Sequence, residues 1–241
     1  MNFLQKAGFF VFFSFPFVVG PVIDKNIRKA KCDFSEGLLK ATLFATAKHG
    51  KQTRKNLAQD PYITHPIRVS MIIASLGHSA DNLALMQAGL LHDTVEDTNT
   101  TFEEIEREFG TKVRALVAEH TDDKTLAKAE RKRMQIVKAS SLSGDARILV
   151  LSDKIANLED LLLQPNGEGI PVGWDVNRVQ NYVAWAQKVC QATMTSSSSS
   201  EDVKRMQLVM RIHELCNCQF QYSDGQMYPA LPADPAKAPL V

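Results

Sequence analysis

The chain has 241 residues, of which 44% are hydrophobic and 23% are charged. This composition is ordinary for a globular protein and leaves enough apolar side chains for one sizeable core. Basic and acidic residues nearly cancel, with 28 Lys+Arg against 27 Asp+Glu and a formal net charge of +1. No overall basic field therefore favours binding to nucleic acid or to an anionic membrane, and an anionic ligand would need a local basic cluster.

Both ends of the chain differ in composition from its centre. Residues 8–23, GFFVFFSFPFVVGPVI, are strongly apolar, but Pro16 interrupts them and they are shorter than the roughly 20 residues of a membrane span. No clean A-x-A-like cleavage site follows, so residues 1–30 are predicted to be an apolar extension that is either a signal or anchor segment or disordered. Residues 195–200 are predicted to be a serine linker, 201–218 a C-terminal helix and 219–241 a disordered tail.

Residues 31–194 have the pattern of a single all-α domain. Apolar residues recur there at helical spacing, and no segment alternates with the period of a strand. The first helix is predicted to begin at Asp33 or Ser35 and to end at Gly50. The second follows a polar loop, with Pro66 in its first turn and a glycine at its end.

The third helix is predicted to begin at Asp81 and to run through LLHDTVEDT to residue 98. Thr101 and Glu104 then form a capping-box pattern at the start of the next helix. The clearest helix in the chain is DARILVLSDKIANLEDLLLQ, residues 145–164, which has an apolar stripe at helical spacing. WDVNRVQNYVAWAQKVCQAT is predicted to form a further amphipathic helix.

The stretch LLHDTVEDT places a histidine and three carboxylates directly after an apolar run. On one α-helix, four side chains would share less than half of the circumference: His92, Asp93, Glu96 and Asp97. Carboxylates near a helix C-terminus oppose the helix dipole, and they cannot line a buried face unless they are paired or metal-bound. A solvated acidic face is the simpler alternative, but a bound cation would remove both problems.

Two further segments offer ligands for such a cation. His65 lies in YITHP at a predicted helix start, and Asp153 lies on the clearest helix with Asn157 one turn later. Two imidazoles and two carboxylates form a mixed nitrogen and oxygen set, which suits octahedral Mn²⁺ or Fe²⁺ better than a structural zinc. His49 is interpreted as structural, and His120 is given no role.

The order HP, HDTVED and DKxxNL resembles the HD-domain hydrolases, specifically the hydrolase half of RelA/SpoT-type alarmone enzymes. The resemblance also includes QTRK, TDDKTLAKAERKR and WDVNRVQNY, and it extends from about Phe34 to Thr193. Because no synthetase region is recognised after it, the chain is similar to the stand-alone SpoT homologues of metazoans. The resemblance implies an all-α HD-domain helical bundle and a metal-dependent hydrolase.

The resemblance also implies a role for each matching position. The metal ligands, for which Mn²⁺ is the family's usual ion, are His65, His92, Asp93 and Asp153. The acidic pair that positions and activates the attacking water is Glu96 and Asp97. The residues that contact the nucleotide are Arg54, Lys55, Lys128, Asn157, Trp174, Arg178 and Tyr182. Lys124 is a weaker candidate for the same site.

The implied reaction removes the 3′-diphosphate from guanosine 3′,5′-bis(diphosphate), ppGpp, and gives GDP and pyrophosphate. Metazoan members of the family are also associated with removal of the 2′-phosphate from NADPH, which gives NADH, and the sequence leaves this alternative open. A non-catalytic nucleotide sensor is a third alternative, which the retained acidic pair disfavours.

The expected partner is a small nucleotide and not a nucleic acid. Both candidate substrates are intracellular, so a cytoplasmic location is expected. Membrane contact or organelle targeting through residues 1–23 is the alternative that the sequence leaves open.

Overall fold

The computed structural model describes residues 25–77, 82–163, 169–194, 207–212 and 214, together with the pairs 220–221 and 227–228. The apolar extension predicted for residues 1–30 lies mostly outside these residues. The same holds for the whole serine linker and for most of the predicted tail. The division of the chain into these segments stays a prediction.

Over its described residues the chain is an all-α bundle, and the predicted fold class is confirmed. The helices are α1 Lys25–His49, α2 Thr64–Ser75, α3 Leu83–Leu91, α4 Thr94–Asp97, α5 Phe102–Phe109, α6 Thr111–His120, α7 Lys128–Ala139, α8 Gly144–Leu163 and α9 Val176–Ala192. Residues 207–212 are also helical, inside the predicted C-terminal helix. None of the helices in this part of the chain is both long and apolar enough to cross a bilayer.

Two strands of two residues each, β1 Phe220–Gln221 and β2 Met227–Tyr228, pair in antiparallel orientation. The sequence showed no strand pattern there, because two residues are too few to display a period of two. The pair lies in the segment for which we predicted disorder, and the other residues of that segment are outside the described part of the chain.

The predicted end of α1 and the predicted start of α5 are confirmed, but the predicted start of α1 is wrong. Gly50 follows α1 with a φ of +54°, and Thr101 Oγ1 accepts a hydrogen bond from Glu104 N at the start of α5. α1, however, begins at Lys25 rather than at Asp33. The preceding segment KNIRKAKC is rich in residues with good helix propensity, so the helix continues through the predicted cap.

The predicted third helix is broken within the acidic stretch. α3 ends at Leu91, His92 and Asp93 form a turn, and α4 is one short helical turn. Asp93 adopts φ −93° and ψ −7°, which is the bridge region of backbone space, and Thr94 Oγ1 donates to Leu91 O in the buried interior. The prediction that these four side chains share one helical face was therefore wrong.

The packing of α2 against α3 and α8 brings the two motif histidines together. A Cβ at Gly89 on α3 would lie 2.9 Å from Ile73 Cδ1 and 3.2 Å from Ser70 Cα on α2. Because glycine has no side chain, the two helices can approach this closely. His92 follows three residues later, and its Nδ1 lies 2.9 Å from Gly89 O. Gly89 thus holds His92 beside the helix that carries His65.

Replacing Gly89 with valine should destabilise the fold and separate α2 from α3. The added methyl groups overpack the contact, and overpacking costs about 1–3 kcal/mol of unfolding free energy. Chemical denaturation measures this loss. The control is Ala47→Val on α1, where the side chain is exposed and the cost should stay below about 1 kcal/mol. Equal losses in the two variants would contradict the role given to Gly89.

Candidate active site

Side chains that could hold a metal ion, from α2, from the turn after α3 and from α8, form one buried cluster. His65, His92 and Asp153 offer ligand atoms that lie within 4.8 Å of one another. His65 Nε2 is 3.1 Å from Asp153 Oδ1, and His92 Nε2 is 3.0 Å from Asp93 Oδ2. Asp93 Oδ2 also lies 3.8 Å from His65 Nε2, so the four predicted ligands lie together.

The hydrogen bonding of His92 fits a cation in this cluster. Its Nδ1 faces Gly89 O and can only donate there, which leaves Nε2 with the lone pair in the neutral ring. Nε2 is buried and makes no hydrogen bond, although it lies 3.0 Å from Asp93 Oδ2. When the ring is neutral, both atoms carry lone pairs, and such a pair suits ligands that share a metal ion.

The charges of the metal-free cluster compensate one another. Burial lowers the pKa of His92, but Asp93 and Asp153 outweigh burial and raise this pKa to about 9. Burial opposes the ionisation of Asp93, yet the neighbouring His92 holds the pKa of Asp93 well below its usual range. A metal ion would replace the proton of His92 and keep the carboxylates neutralised, which couples metal binding to proton release.

Neighbouring side chains hold the carboxylates of Asp93 and Asp153 in place. Tyr62 OH donates to Asp93 Oδ2 at 2.6 Å, and burial with the charge of Asp93 raises the pKa of Tyr62 far above its usual value. Lys154 Nζ donates to Asp153 Oδ2 at 2.6 Å. Asn157 Nδ2 donates to the other oxygen of Asp153 at 2.7 Å. Sequence reasoning selected Asn157 but missed Tyr62 and Lys154, although both stand inside the motif segments YITHP and DKIAN.

His120, which received no role from the sequence, lies against the cluster. Its ring centroid is 4.8 Å from that of His92, and its Nε2 is 3.9 Å from Asp153 Oδ2. Burial and the charge of His92 lower the pKa of His120 to about 3, so this ring is neutral. His49 lies outside the metal-ligating group found among the described residues and packs on Tyr62, with ring centroids 4.7 Å apart.

The acidic pair lies on α4 beside the cluster. Glu96 Oε2 accepts a hydrogen bond from Asp122 N at 3.2 Å, and burial raises the pKa of Glu96 above its ordinary value. A raised carboxyl pKa suits a general base that works near neutral pH. Lys124 Nζ lies 2.7 Å from Asp97 Oδ1 and 3.4 Å from Glu96 Oε1. Lys124 therefore holds both carboxylates, a closer connection than the sequence indicated.

Two cavities share part of their walls, and the first of them borders the cluster. The first cavity, of about 600 Å³, is lined by His65 and Asp97 on the cluster side. Five of the residues predicted to contact the nucleotide also line it: Arg54, Lys55, Asn157, Trp174 and Tyr182. The second cavity, of about 320 Å³, shares Lys55, Trp174 and Tyr182 with the first. The other two predicted contacts, Lys128 and Arg178, line the second cavity.

Two arginines share one carboxylate in the wall of the first cavity. Arg54 Nη2 donates to Asn157 Oδ1 at 3.0 Å and to Asp160 Oδ2 at 2.9 Å. Arg68 pairs with the second oxygen of Asp160. Neither Arg68 nor Asp160 was predicted as a site residue, although each lies about one helical turn after a predicted one.

The fold and the cluster define an HD domain. The profile of the HD-domain family matches residues 41–167, and the chain belongs to this family. The resemblance to RelA/SpoT-type HD hydrolases is likewise confirmed by the relatives that follow.

The chain is similar to small metazoan hydrolases. It is 48% identical to guanosine-3′,5′-bis(diphosphate) 3′-pyrophosphohydrolase MESH1 of Xenopus tropicalis over 164 residues, which cover 68% of this chain and 88% of that protein. Identity to MESH1 of Homo sapiens is 45% over 165 residues, or 68% of this chain and 89% of that protein. A solved structure, described as a metazoan ortholog of SpoT that hydrolyzes ppGpp and plays a role in starvation responses, matches with a TM-score of 0.62 at 36% identity, over 73% of this chain and 94% of that chain.

Replacing His65 with alanine should remove the bound metal, because His65 Nε2 is one of the clustered ligand atoms. Affinity for Mn²⁺ should fall by more than about 100-fold, the upper value for loss of a supporting contact around a metal. Metal content by elemental analysis and titration with Mn²⁺ measure the change. His49→Ala is the matched control, since His49 is equally buried and lies outside the cluster. Metal retention in His65→Ala would contradict the ligand assignment.

Proposed function

We propose that this chain hydrolyses guanosine 3′,5′-bis(diphosphate), releasing its 3′-diphosphate as pyrophosphate and leaving GDP. The observation that carries this proposal is the position of the ligand cluster. His65 of the cluster and Asp97 of the acidic pair line the same cavity as the basic and aromatic residues of the motif. The MESH1 relatives are named for this activity, and this chain aligns with 88% and 89% of their lengths.

Mn²⁺ is the ion that we propose for the cluster. Two imidazoles and two carboxylates suit a six-coordinate Mn²⁺ with open positions, and they would be His65, His92, Asp93 and Asp153. The bound ion would lower the pKa of a water molecule and offset the negative charge of the attacked phosphate. Tyr62 and Lys154 would keep the two carboxylates oriented through the hydrogen bonds described above.

We propose Glu96 as the general base and Asp97 as the residue that orients the water with it. The water oxygen attacks the phosphorus attached to the 3′-oxygen while its proton passes to Glu96. The bond between this phosphorus and the 3′-oxygen breaks, the 3′-oxygen takes up a proton, and GDP leaves with a 3′-hydroxyl group. Lys124 would hold both carboxylates in place, because its ammonium group contacts the two of them.

The two cavities supply the contacts for a nucleotide with phosphates at both ends of the ribose. Arg54 presents a guanidinium group to the first cavity, where it can fork onto phosphate oxygens. Trp174 and Tyr182 stand where the cavities meet, with ring centroids 5.8 Å apart, and are suited to hold the base or sugar. The Arg178 guanidinium lies 4.6 Å from the centre of the Trp174 ring.

The cytosol is the compartment that we propose, because this substrate is an intracellular nucleotide. The described residues include no membrane-spanning helix. The apolar residues 1–23 lie outside the described residues. The proposed partner is therefore a small nucleotide, with the membrane contact of the N-terminus left as an alternative.

Glu96→Ala should lower kcat by about 10²–10⁴-fold, the usual contribution of a general base, while the metal stays bound. The assay follows pyrophosphate and GDP released from ppGpp by the full chain with Mn²⁺. Glu103→Ala is the control, since Glu103 is an exposed carboxylate on α5, and its turnover should equal that of the unmodified chain.

NADPH is tested in parallel for release of phosphate. A higher kcat/KM for NADPH than for ppGpp would make NADPH the preferred substrate of the same site. If the unmodified chain hydrolysed neither compound, the proposal would be wrong and the nucleotide-sensor alternative would be favoured.

A further inference from the structure

The second cavity differs from the first in its charge. Four basic side chains line it, and its described lining includes no acidic residue: Lys55, Lys128, Lys132 and Arg178. In the first cavity, by contrast, Arg54 and Arg68 are both paired with Asp160. The basic side chains of the second cavity form no ion pair with a carboxylate of the described residues. A concave aromatic site with unpaired positive charge favours a polyanion.

Of the basic side chains that line this cavity, Lys132 lies closest to an aromatic ring in the described structure. Its Nζ lies 3.1 Å from the centre of the Trp185 ring and 5.3 Å from the centre of the Tyr182 ring. Among the described residues, none accepts a hydrogen bond from this Nζ. The amine is thus held against aromatic rings without an acceptor, and an entering anion would supply both the acceptor and the opposite charge.

The surroundings of Lys132 favour the uncharged amine in the empty cavity. Burial, followed by the positive charge of Lys154, lowers the pKa of Lys132 to about 6. Asp153 and Asp122 act in the opposite direction but do not outweigh burial. The charged and titratable groups around it are Lys128 on α7, Asp122 before α7, Asp153 and Lys154 on α8, Tyr182 on α9, and Lys55 and Arg178 across the cavity.

We propose that Lys132 is a further substrate-binding residue, which donates a hydrogen bond to the nucleotide phosphate remote from the cleaved bond. The inference rests on the proposed function. When the 3′-diphosphate lies at the ligand cluster in the first cavity, the 5′-diphosphate extends past Trp174 and Tyr182 into the second. The amine of Lys132 takes up one proton from solvent as the anion enters, so that an ammonium group faces the phosphate oxygens.

This arrangement makes nucleotide binding depend on pH. In the free protein Lys132 is protonated below its pKa of about 6 and neutral above it. The bound anion raises that pKa, because an opposite charge favours the protonated amine. Affinity should therefore fall as the pH rises above the pKa of the free protein, by up to about tenfold per pH unit for one linked proton.

Calorimetric titration with GDP tests the proposal without turnover, because GDP carries the 5′-diphosphate and lacks the 3′-diphosphate. Titrations of the full chain near neutral pH, in buffers with different ionisation enthalpies, report the protons taken up per GDP. Lys132→Met keeps the length of the side chain but not its charge, and it should bind GDP at least about tenfold more weakly and take up fewer protons. Lys132→Arg should bind GDP with less proton uptake, since arginine is always charged.

Lys112→Met is the matched control, since Lys112 is an exposed lysine on α6 that lines neither cavity. Affinity of Lys132→Met within about twofold of the unmodified chain would overturn the proposal. Unchanged proton uptake in Lys132→Met would overturn the protonation step. If circular dichroism shows that Lys132→Met does not fold, Lys132→Gln takes its place.

Hydrolysis of ppGpp by the unmodified chain is measured separately from these titrations. If the chain hydrolyses ppGpp but binds GDP independently of Lys132, the proposed function stands and the inference about Lys132 is wrong. If the chain binds GDP through Lys132 but hydrolyses no ppGpp, the anion site stands and the proposed reaction is wrong.

Discussion

The contact between His92 and Asp93 is the constraint on which the rest of the site depends. Their ligand atoms lie 3.0 Å apart in the interior without a hydrogen bond between them. Such a contact is favourable when a proton or a metal ion lies between the two atoms. The fold maintains it from both sides, because Gly89 allows α2 and α3 to approach and Tyr62 holds the carboxylate.

The net charge of the chain is close to zero, but its site contains an acidic region and a basic region close to each other. Carboxylates gather at the cluster and on α4, where Lys124 neutralises part of their charge. Basic side chains without carboxylate partners gather in the second cavity, on the far side of Trp174 and Tyr182. A nucleotide with phosphates at both ends of its ribose can use both regions at once, the acidic region through a bound metal and the basic region directly.

The fold class and the residues that the structure gathers into the cluster could be predicted from the sequence, because local patterns mark both. Helical periodicity indicated the bundle, and HP, HDTVED and DKxxNL indicated His65, His92, Asp93 and Asp153. The break between α3 and α4 could not be predicted, because no glycine or proline follows Leu91 to mark a helix end.

Contacts between segments that are distant in the chain could also not be predicted from the sequence. His120 reaches the cluster from α6, and Arg68 meets Arg54 only through Asp160 on α8. Lys132 could be recognised only once α7 and α9 were seen to enclose a cavity. Each of these residues is an ordinary polar side chain in its own helix, and its significance comes from what another helix places beside it.

Anomalous X-ray scattering from crystals of the Mn²⁺-loaded protein would test most directly whether these four side chains hold one cation. We expect a single strong peak at coordination distance, about 2.0–2.6 Å, from His65 Nε2, His92 Nε2 and one oxygen each of Asp93 and Asp153. A peak at another position, or none within reach of these atoms, would contradict the metal centre and with it the proposed reaction.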